Sequence, residues 1–456
     1  MSDEVKVQNP TGTLSRKNLA TLGQVKDALD KRDKKIDSLT EDLSNKITKF
    51  YAPNQGETHL ADSDNGKIMD MMLYGKSSQD GTPTPENLVE IKSVVNPTVK
   101  VFGKNLWNPI LGGYISGNNG SIVETSKTQS AVTDFIKTSG KDITVIARNF
   151  SSAIGSSYTY RIGLYNVEKK WIKNIFPSDG NKYSINTFNT TGTEYIRVSA
   201  PSGIYDTIQI EKGSEATSYE PYTEQSVQLP YALNAIPVTS GGNVTIGGQQ
   251  YIADYVDVER GKVVRKINKL ILTGEENWQM GFENWGTYPY SFRVEELKEY
   301  VLGGNAMNAK YPWYQKKANQ DLNSMNAPYD RCIAVSDARF SSVDEFTNEL
   351  KKQNSNGTPL IAYYVTGTPQ EENLSLEEIK SLKSLSTYYP VTNISANSEQ
   401  LDGYTVFNYP ISMANGWNYV KQQLNDNRDY IYDMDTQSAE AYVNSEYAVV
   451  LTELEV

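Results

Sequence analysis

A strict seven-residue repeat near the N-terminus restricts the fold of this chain more than any other feature of its sequence. The repeat consists of apolar residues seven positions apart, with two more at the second apolar position of the same heptads: Leu22, Leu29, Ile36, Leu43 and Phe50, with Val25 and Leu39. A period of 3.5 residues keeps an apolar seam facing partner helices in a left-handed coiled coil. The repeat therefore predicts a coiled-coil helix over residues 21–50.

The flanking residues indicate where this helix begins and ends. Thr21 and Gln24 have the spacing of a capping box, and Pro53 and Gly56 end the helical pattern. A helix of this length cannot bury its apolar stripe alone. We expect a parallel homotrimer held by this helix, and the alternative is a helix that packs on its own domain.

Length and charge limit the possible partners. A chain of 456 residues predicts two or three domains. The net charge of -11 argues against nucleic acid or an anionic membrane as the main partner, since both need clustered Lys and Arg. The sequence has no run of eighteen apolar residues, and its first residues lack the apolar core of a signal peptide. We expect synthesis in a bacterial cytoplasm and no membrane insertion.

The sequence predicts no catalytic residue, no metal site and no cofactor. A single cysteine, Cys332, excludes internal disulfides, and a single histidine, His59, makes Ser-His-Asp catalysis unfavourable. The stretch "YGKS" does not match the phosphate-binding loop motif, because Asp70 occupies the position where that motif needs glycine. The acidic stretches 62–67 and 433–440 do not have the donor spacing of a calcium loop.

After residue 66 the helical period gives way to short β-rich runs separated by Gly, Asn, Ser and Thr. Four runs with near-alternating apolar positions are predicted strands: 143–150, 159–167, 195–200 and 206–212. A β-sandwich fits this spacing. Further along, "ERGK" predicts a hairpin turn, 341–353 an amphipathic helix capped by Ser341 or Ser342, and 359–367 a strong strand.

A cluster of aromatic residues in the second half is the candidate binding site. Its members are Trp278, Trp285, Tyr288, Tyr290, Trp313 and Tyr314. The apolar face of a sugar ring lies flat on Trp or Tyr, while neighbouring polar side chains bond its hydroxyls. We therefore predict carbohydrate contact here, against the alternative of a sandwich core with a loop. Glu275, Glu276 and Glu283 lie near these rings in an arrangement that glycoside hydrolysis could use, and an exposed acidic loop is the more ordinary interpretation.

Five phrases resemble the minor structural, baseplate-associated and receptor-binding proteins of phages of Gram-positive bacteria. They are "LYGKSSQDGTPTPENLVEIKSV" at 73–94, "GKNLWNPI" at 103–110, "IQIEKGSEATSYEPY" at 208–222, "YIADYVDVERGKVVRKI" at 251–267 and "GTPLIAYYVTGTPQEENLS" at 357–375. The resemblance implies a trimeric tail-tip or fibre protein whose sandwich modules are similar to carbohydrate-binding modules and face host cell-wall polysaccharide. The segment after about residue 396 departs from the family's endings.

Together these interpretations give a mainly β fold. It has an N-terminal trimeric coiled-coil helix, two β-sandwich domains of the carbohydrate-binding-module-like jelly-roll type and a small mixed α/β C-terminal segment. The predicted domains are an extension 1–20, the coiled coil 21–50, a linker 51–66, sandwich 67–225, a β-rich domain 226–395 and an interface segment with a helix, 396–456. The expected protein is a non-enzymatic virion component that binds itself, other tail proteins and host cell-wall glycan. The alternatives are a purely structural baseplate or fibre component, and a wall-polysaccharide hydrolase.

Overall fold

The fold is mainly β, as the sequence predicted, and its strand pairings are antiparallel. The computed structural model describes residues 7–9, 12–14, 27, 29–35, 38, 50–64, 66–138, 140–148, 160–166, 168–175, 183–280, 291–295, 306–312, 323–326 and 332–428. Within these residues no helix is both long and apolar enough to cross a membrane.

The strands of the first half begin and end, in chain order, at β1 Val7–Asn9, β2 Gly12–Leu14, β3 Phe50–Gln55, β4 Met69–Tyr74, β5 Ser77–Gln79, β6 Ile91–Val95, β7 Thr98–Phe102, β8 Pro109–Ile115, β9 Ile122–Glu124, β10 Ser130–Thr133, β11 Ile136–Lys137, β12 Ile143–Arg148, β13 Arg161–Tyr165, β14 Trp171–Ile175, β15 Tyr183–Phe188, β16 Tyr195–Pro201 and β17 Ile208–Lys212. The strands of the second half are β18 Glu224–Gln228, β19 Ala232–Leu233, β20 Ala235–Val238, β21 Val244–Ile246, β22 Gln249–Ala253, β23 Tyr255–Asp257, β24 Lys262–Leu272, β25 Gln279–Met280, β26 Ser291–Val294, β27 Ala306–Asn308, β28 Ser324–Asn326, β29 Ile333–Ser336, β30 Leu360–Asn373, β31 Asn393–Asn397 and β32 Tyr404–Ile411. The helices are α1 at 29–35, α2 Val343–Ser355, α3 Leu376–Ser384 and α4 at 413–428, with one 3-10 turn at Ser202–Thr207. The four strands and the helix predicted from residues 143–212 and 341–353 are confirmed.

The chain divides into two compact units, Met1–Ala52 with Pro410–Val456, and Pro53–Tyr409. In the first unit, Phe50 meets Trp417 of α4 edge to face, with ring centroids 5.6 Å apart. Gly416 makes this contact possible, because a Cβ there would lie 2.3 Å from the Phe50 ring. Of the predicted seam residues, Leu29 lies half-buried in α1. The prediction was wrong for Phe50, which begins β3 and packs on Trp417 instead of ending a helix. Leu22, Val25, Ile36, Leu39 and Leu43 lie outside the described residues.

In the second unit, β27, β30, β24, β23 and β4 are successive neighbours in one antiparallel sheet. Its longest strands, β24 and β30, are antiparallel and carry a bulge after Arg265. Ser342 caps α2 by accepting a hydrogen bond from the Glu345 amide. α2 buries Phe346 and Leu350 in a core shared with β26, β29 and β30.

A small three-stranded sheet, β18-β7-β31, carries an inserted module. The chain leaves β7 at Phe102 and returns on β18 at Glu224, and these two residues are paired directly opposite each other. Strands β8–β17 lie between them in the sequence. We call residues 103–223 the inserted module, and its two ends lie side by side.

The inserted module consists of two antiparallel sheets around one buried cluster. The larger has the order β14-β13-β16-β10-β8-β9, with β11 paired to β16, and the smaller has the order β15-β12-β17. Both sheets contribute to the cluster, which includes Ile162, Ile196, Val145 and Ile210. Period-2 alternation in β13 and β16 sends these apolar side chains inward and the intervening residues outward.

Asn105 holds the two ends of the inserted module together. Its amide nitrogen donates to the carbonyls of Glu220 at 2.8 Å and Ile208 at 3.2 Å. Its side-chain oxygen accepts from the amides of Trp107 at 3.0 Å and Ile210 at 3.1 Å. The phrases at 103–110 and 208–222, distant in sequence, are therefore two halves of one structural element.

Sheet pairing also crosses the boundary predicted between residues 225 and 226. β4 pairs with β23, and β7 pairs with β31. Strands from 67–102 thus hydrogen-bond with strands beyond residue 226. The reason is that a chain can leave and re-enter a sheet at adjacent strands, an arrangement that local sequence patterns do not reveal.

Candidate functional site

Of the predicted carbohydrate-binding residues, Trp278 lies in the described structure, and it is buried. Its side chain is 6% exposed in the core beside α2, and its ring meets Phe346 edge to face at 4.9 Å. Its indole N–H donates to Glu276 at 3.0 Å. Trp278 therefore offers no exposed ring face to a sugar. Trp285, Tyr288, Tyr290, Trp313 and Tyr314 lie outside the described residues.

The acidic residues beside Trp278 have structural partners. Glu276 accepts hydrogen bonds from the backbone amides of Thr273 and Gly274 at 2.6 and 2.7 Å. Burial alone would raise the pKa of Glu276, but these donors and the Trp278 indole lower it overall. Glu275 pairs with Lys351 at 3.4 Å. Glu276 thus fixes the connection between β24 and β25, whereas the Glu275 pair is exposed and contributes little. Glu283 lies outside the described residues.

The family-like phrases at 73–94 and 251–267 also supply structural contacts. A Cβ at Gly75 would lie 2.5 Å from the Leu233 backbone, so only glycine allows this approach. The fully buried carboxylate of Asp254 accepts hydrogen bonds from the amides of Lys266 and Ile267, and these hold the β24 bulge. Beside it, a cleft of about 300 Å³ is lined by residues that include Arg265. Arg265 in turn pairs with Glu372 at 3.1 Å.

A different group of residues, on the outer side of the inserted module's larger sheet, has the chemistry of a binding surface. In the β13–β16 ladder, Tyr165 lies opposite Tyr195, and Gly163 lies opposite Arg197. The half-buried Phe135 ring meets the ring of Tyr165 at 5.0 Å and that of Tyr195 at 6.0 Å, both edge to face. Edge-to-face geometry fixes the three rings relative to one another.

Two cations lie over this aromatic group. The Arg197 guanidinium carbon is 4.8 Å from the Phe135 centroid. The Lys169 ammonium is 5.3 Å from the same centroid and 5.4 Å from that of Tyr195. These distances are within the range of cation–π attraction. We call Phe135, Tyr165, Tyr195, Lys169 and Arg197 the aromatic–cationic face. Tyr165 is 3% and Arg197 8% exposed, so the accessible side chains of this face are Phe135, Tyr195 and Lys169.

The turn between β13 and β14 directs Lys169 onto the rings. Lys169 has a φ of +60°, a left-handed conformation that is unfavourable for a residue with a side chain. The Asn166 side-chain oxygen accepts from the amides of Glu168 at 3.0 Å and Lys170 at 2.9 Å, and its carbonyl accepts from the Lys169 amide at 3.0 Å. Three hydrogen bonds to one asparagine therefore hold the turn that carries this cation.

Burial determines the protonation of the tyrosines on this face. It raises the pKa of Tyr195 to about 12, with Asp402 and Glu194 adding to the effect. Burial also raises the pKa of Tyr165, and the nearby Arg197 partly opposes this. Both phenols are therefore neutral hydrogen-bonding groups at physiological pH.

The half-buried Trp171 extends the aromatic–cationic face along β14. A Cβ at Gly120 would lie 2.0 Å from the indole, so glycine allows the loop to sit against that ring. The indole N–H donates to Asn174 at 3.0 Å, and Asn174 donates to the Ser116 carbonyl at 2.9 Å. Tyr165 donates to the Gly120 carbonyl at 2.8 Å, which joins this loop to the face. Half-buried rings beside fixed polar groups are one arrangement from which ligand sites are built.

Sequence reasoning missed the aromatic–cationic face although a signal was present. Ile196 and Val198 predict the inner side of β16, which places Tyr195 and Arg197 on its outer side. The prediction instead followed the local density of aromatic residues after residue 277. Local density does not distinguish a buried ring such as Trp278 from a ring on a sheet surface.

Comparison of the chain with protein-family models, curated proteins and solved structures gives no match.

Proposed function

We propose that this chain is a virion structural protein of a phage tail tip, baseplate or tail fibre. It assembles as a trimer through the heptad helix and binds host cell-wall polysaccharide. Its two sheets around one core in the inserted module are a β-sandwich of the carbohydrate-binding-module type. The observation that carries the proposal is the aromatic–cationic face, where the half-buried Phe135 and Tyr195 rings lie beside the exposed Lys169 ammonium. The five family-like phrases support the assignment to a phage tail.

Wall-polysaccharide binding is the first test. Purified full-length protein is immobilised and exposed to cell-wall polysaccharide fractions from a panel of Gram-positive bacteria. We expect at least one fraction to bind, and Tyr195→Ala to weaken that binding about tenfold, because a ring contact contributes roughly 1 kcal/mol beyond the area it buries. Tyr389→Ala is the matched control, since Tyr389 is 51% exposed and lies outside the inserted module. Failure of every fraction to bind the wild-type protein would contradict glycan binding.

Trimer assembly has a separate test. Light scattering on the full-length protein should give three times the chain mass of 51.0 kDa. Leu29→Asp places a charge in the predicted seam and should dissociate the trimer, whereas Lys34→Asp on the exposed side of α1 should not. A monomeric wild-type protein would overturn the coiled-coil proposal.

A purely structural tail component is the second candidate. It is favoured by the burial of Trp278, Asn105 and Asp254. These residues belong to the most recognisable stretches of the sequence, and their contacts stabilise the fold. Under this alternative the protein is found in purified particles by immunogold labelling, while the aromatic–cationic variants bind cell walls no differently from wild type.

A further inference from the structure

The chain's single histidine lies where the inserted module contacts the rest of the second unit, which we call the body. His59 and Glu57 belong to the segment of the body that follows β3, and Lys141 belongs to the inserted module, just before β12. Thr58 fixes this segment, because its amide donates to the Thr392 carbonyl at 2.7 Å and its hydroxyl accepts from the Thr392 amide at 2.9 Å. His59 and Glu57 therefore present their side chains from a fixed backbone.

Three polar atoms of this contact lie within 3.0 Å of one another. The Lys141 Nζ is 2.7 Å from Glu57 Oε1 and 3.0 Å from His59 Nε2. The His59 Nε2 is itself 3.0 Å from the same Glu57 oxygen. The other carboxylate oxygen, Oε2, lies 2.8 Å from the Nζ of Lys212, which is also in the module. One oxygen of Glu57 is thus shared by a module lysine and the histidine, and the other contacts a second module lysine.

The contact between Lys141 and His59 specifies the protonation state of the imidazole. A lysine ammonium only donates, so the His59 Nε2 has to accept, and the proton of the neutral ring then lies on Nδ1. A protonated imidazole donates from both nitrogens and cannot accept from Lys141. It can instead donate from Nε2 to Glu57 Oε1, which is already 3.0 Å away. Neutral and protonated His59 therefore require different partners.

His59 can change its charge while Glu57 keeps its own. Histidine is the side chain whose charge ordinarily changes between about pH 5 and 8, and solvent reaches His59 because its side chain is 62% exposed. Burial would raise the pKa of Glu57, but Lys212 and Lys141 lower it overall, so this carboxylate stays ionised in that range. Besides Glu57 and the two lysines, the Tyr409 phenol faces this histidine and donates to its carbonyl at 3.4 Å.

We propose that His59 is a pH-dependent latch between the inserted module and the body. Above about pH 7 the neutral ring accepts a hydrogen bond from Lys141 and helps to hold it against Glu57. At mildly acidic pH the protonated ring donates to the Glu57 oxygen, and repulsion between the two cations displaces Lys141. Lys212 keeps its contact with the other oxygen, so the module loses one of its two ion pairs with Glu57 and stays attached. This inference does not depend on what the module binds.

Nitrogen NMR tests the neutral state of the latch. Full-length protein without a histidine tag, labelled with ¹⁵N-histidine, gives the signals of one imidazole. At about pH 8 we expect Nδ1 to be protonated and Nε2 to be unprotonated. Lys141→Met removes the donor, so the proton should move to Nε2, whereas Lys173→Met at an exposed position of β14 should change nothing. A wild-type protein with its proton on Nε2 at this pH would overturn the proposal.

Acetylation of lysine amines measures the release of Lys141. The folded protein is treated with an acetylating reagent at about pH 8 and about pH 5.5, and peptide mass spectrometry gives the modified fraction of each lysine. Lys352, whose side chain is 72% exposed, is the reference that cancels the pH dependence of the reagent. We expect the ratio of Lys141 to Lys352 acetylation to rise about threefold at the lower pH, because Lys141 leaves its carboxylate partner. The ratio of Lys212 to Lys352 should stay constant.

His59→Gln separates protonation of the histidine from other effects of pH. Glutamine keeps a side-chain oxygen that can accept from Lys141, but it does not titrate. The acetylation ratio of this variant should be the same at both pH values, with circular dichroism as the check on its folding. An equal rise in wild type and His59→Gln, or no rise in the wild type, would overturn the latch.

Discussion

Glu57 joins the body of the second unit to the inserted module, and its removal should destabilise the module substantially. Its carboxylate pairs with Lys141 at 2.7 Å and with Lys212, at the end of β17, at 2.8 Å. The Glu57 and Lys212 side chains are 7% and 13% exposed, whereas Lys141 is 43% exposed. The chain's single histidine, His59, also contacts this carboxylate at 3.0 Å. Among the contacts of the Glu57 carboxylate with Lys141, Lys212 and His59, the one with Lys212 is therefore the most buried.

Glu57→Gln leaves Lys212 without its charge partner, and breaking a buried pair in this way costs about 3 kcal/mol of unfolding free energy. The exposed Lys141 contact adds little to that figure. Urea unfolding at pH 7 measures the effect, with tryptophan fluorescence as the probe, to which Trp107 in the module core contributes. Glu168→Gln, which removes an exposed ion pair in the same module, is the control and should leave the unfolding midpoint unchanged.

The double variant Glu57→Gln/Lys212→Met should lose less stability than the two single variants added together, because it removes both charges.

The pKa of Glu57 is lowered in the folded protein, since Lys212 and Lys141 outweigh the effect of burial. The ionised Glu57 therefore contributes its full stabilisation at pH values above its pKa in the unfolded chain, about 4.5. This stabilisation is lost as the pH falls through the lower pKa of Glu57 in the folded protein. A Glu57→Gln change below about 1 kcal/mol at pH 7 would refute this reasoning.

Three further predictions follow from other contacts. Asn105→Ala removes four hydrogen bonds to backbone groups, three of them buried, and should lower the unfolding free energy of the inserted module by about 3 kcal/mol, measured by the tryptophan fluorescence transition. Gly416→Ala should destabilise the first unit by about 1–3 kcal/mol in thermal unfolding, despite the better helix propensity of alanine, because its Cβ meets the Phe50 ring. Replacing residues 103–223 with a short Gly-rich turn should leave the remaining sheets folded, as judged by circular dichroism and protease resistance, because Phe102 and Glu224 are already paired.

The sequence predicted local elements well because their signals are local. The apolar alternation around Ile162 and Ile196 determined strands and their inner faces, and the Ser342 cap with its amphipathic period determined α2. The pairing of Phe102 with Glu224 joins residues far apart in the chain, and no periodicity marks such a contact.

The candidate site was harder to predict because its chemistry depends on what surrounds each side chain. Arg197 is informative since it is nearly buried and lacks a described carboxylate partner, and both properties arise from tertiary packing. Trp278 shows the converse, because a ring that looks suited to sugar stacking is covered by Phe346. Residue type alone does not distinguish a covered ring from an accessible one, and the fold does.

The way the inserted module is mounted determines how it transmits mechanical force. Its two ends continue into β7 and β18, which lie side by side and run antiparallel, so tension on the module along the strand axes draws both strands the same way. The bonds between β7 and β31 lie across that direction, and their five residue pairs are loaded in shear together instead of opening one at a time. A module attached in this manner resists a pulling force through all five pairs at once, so it does not peel away from β31 one pair at a time.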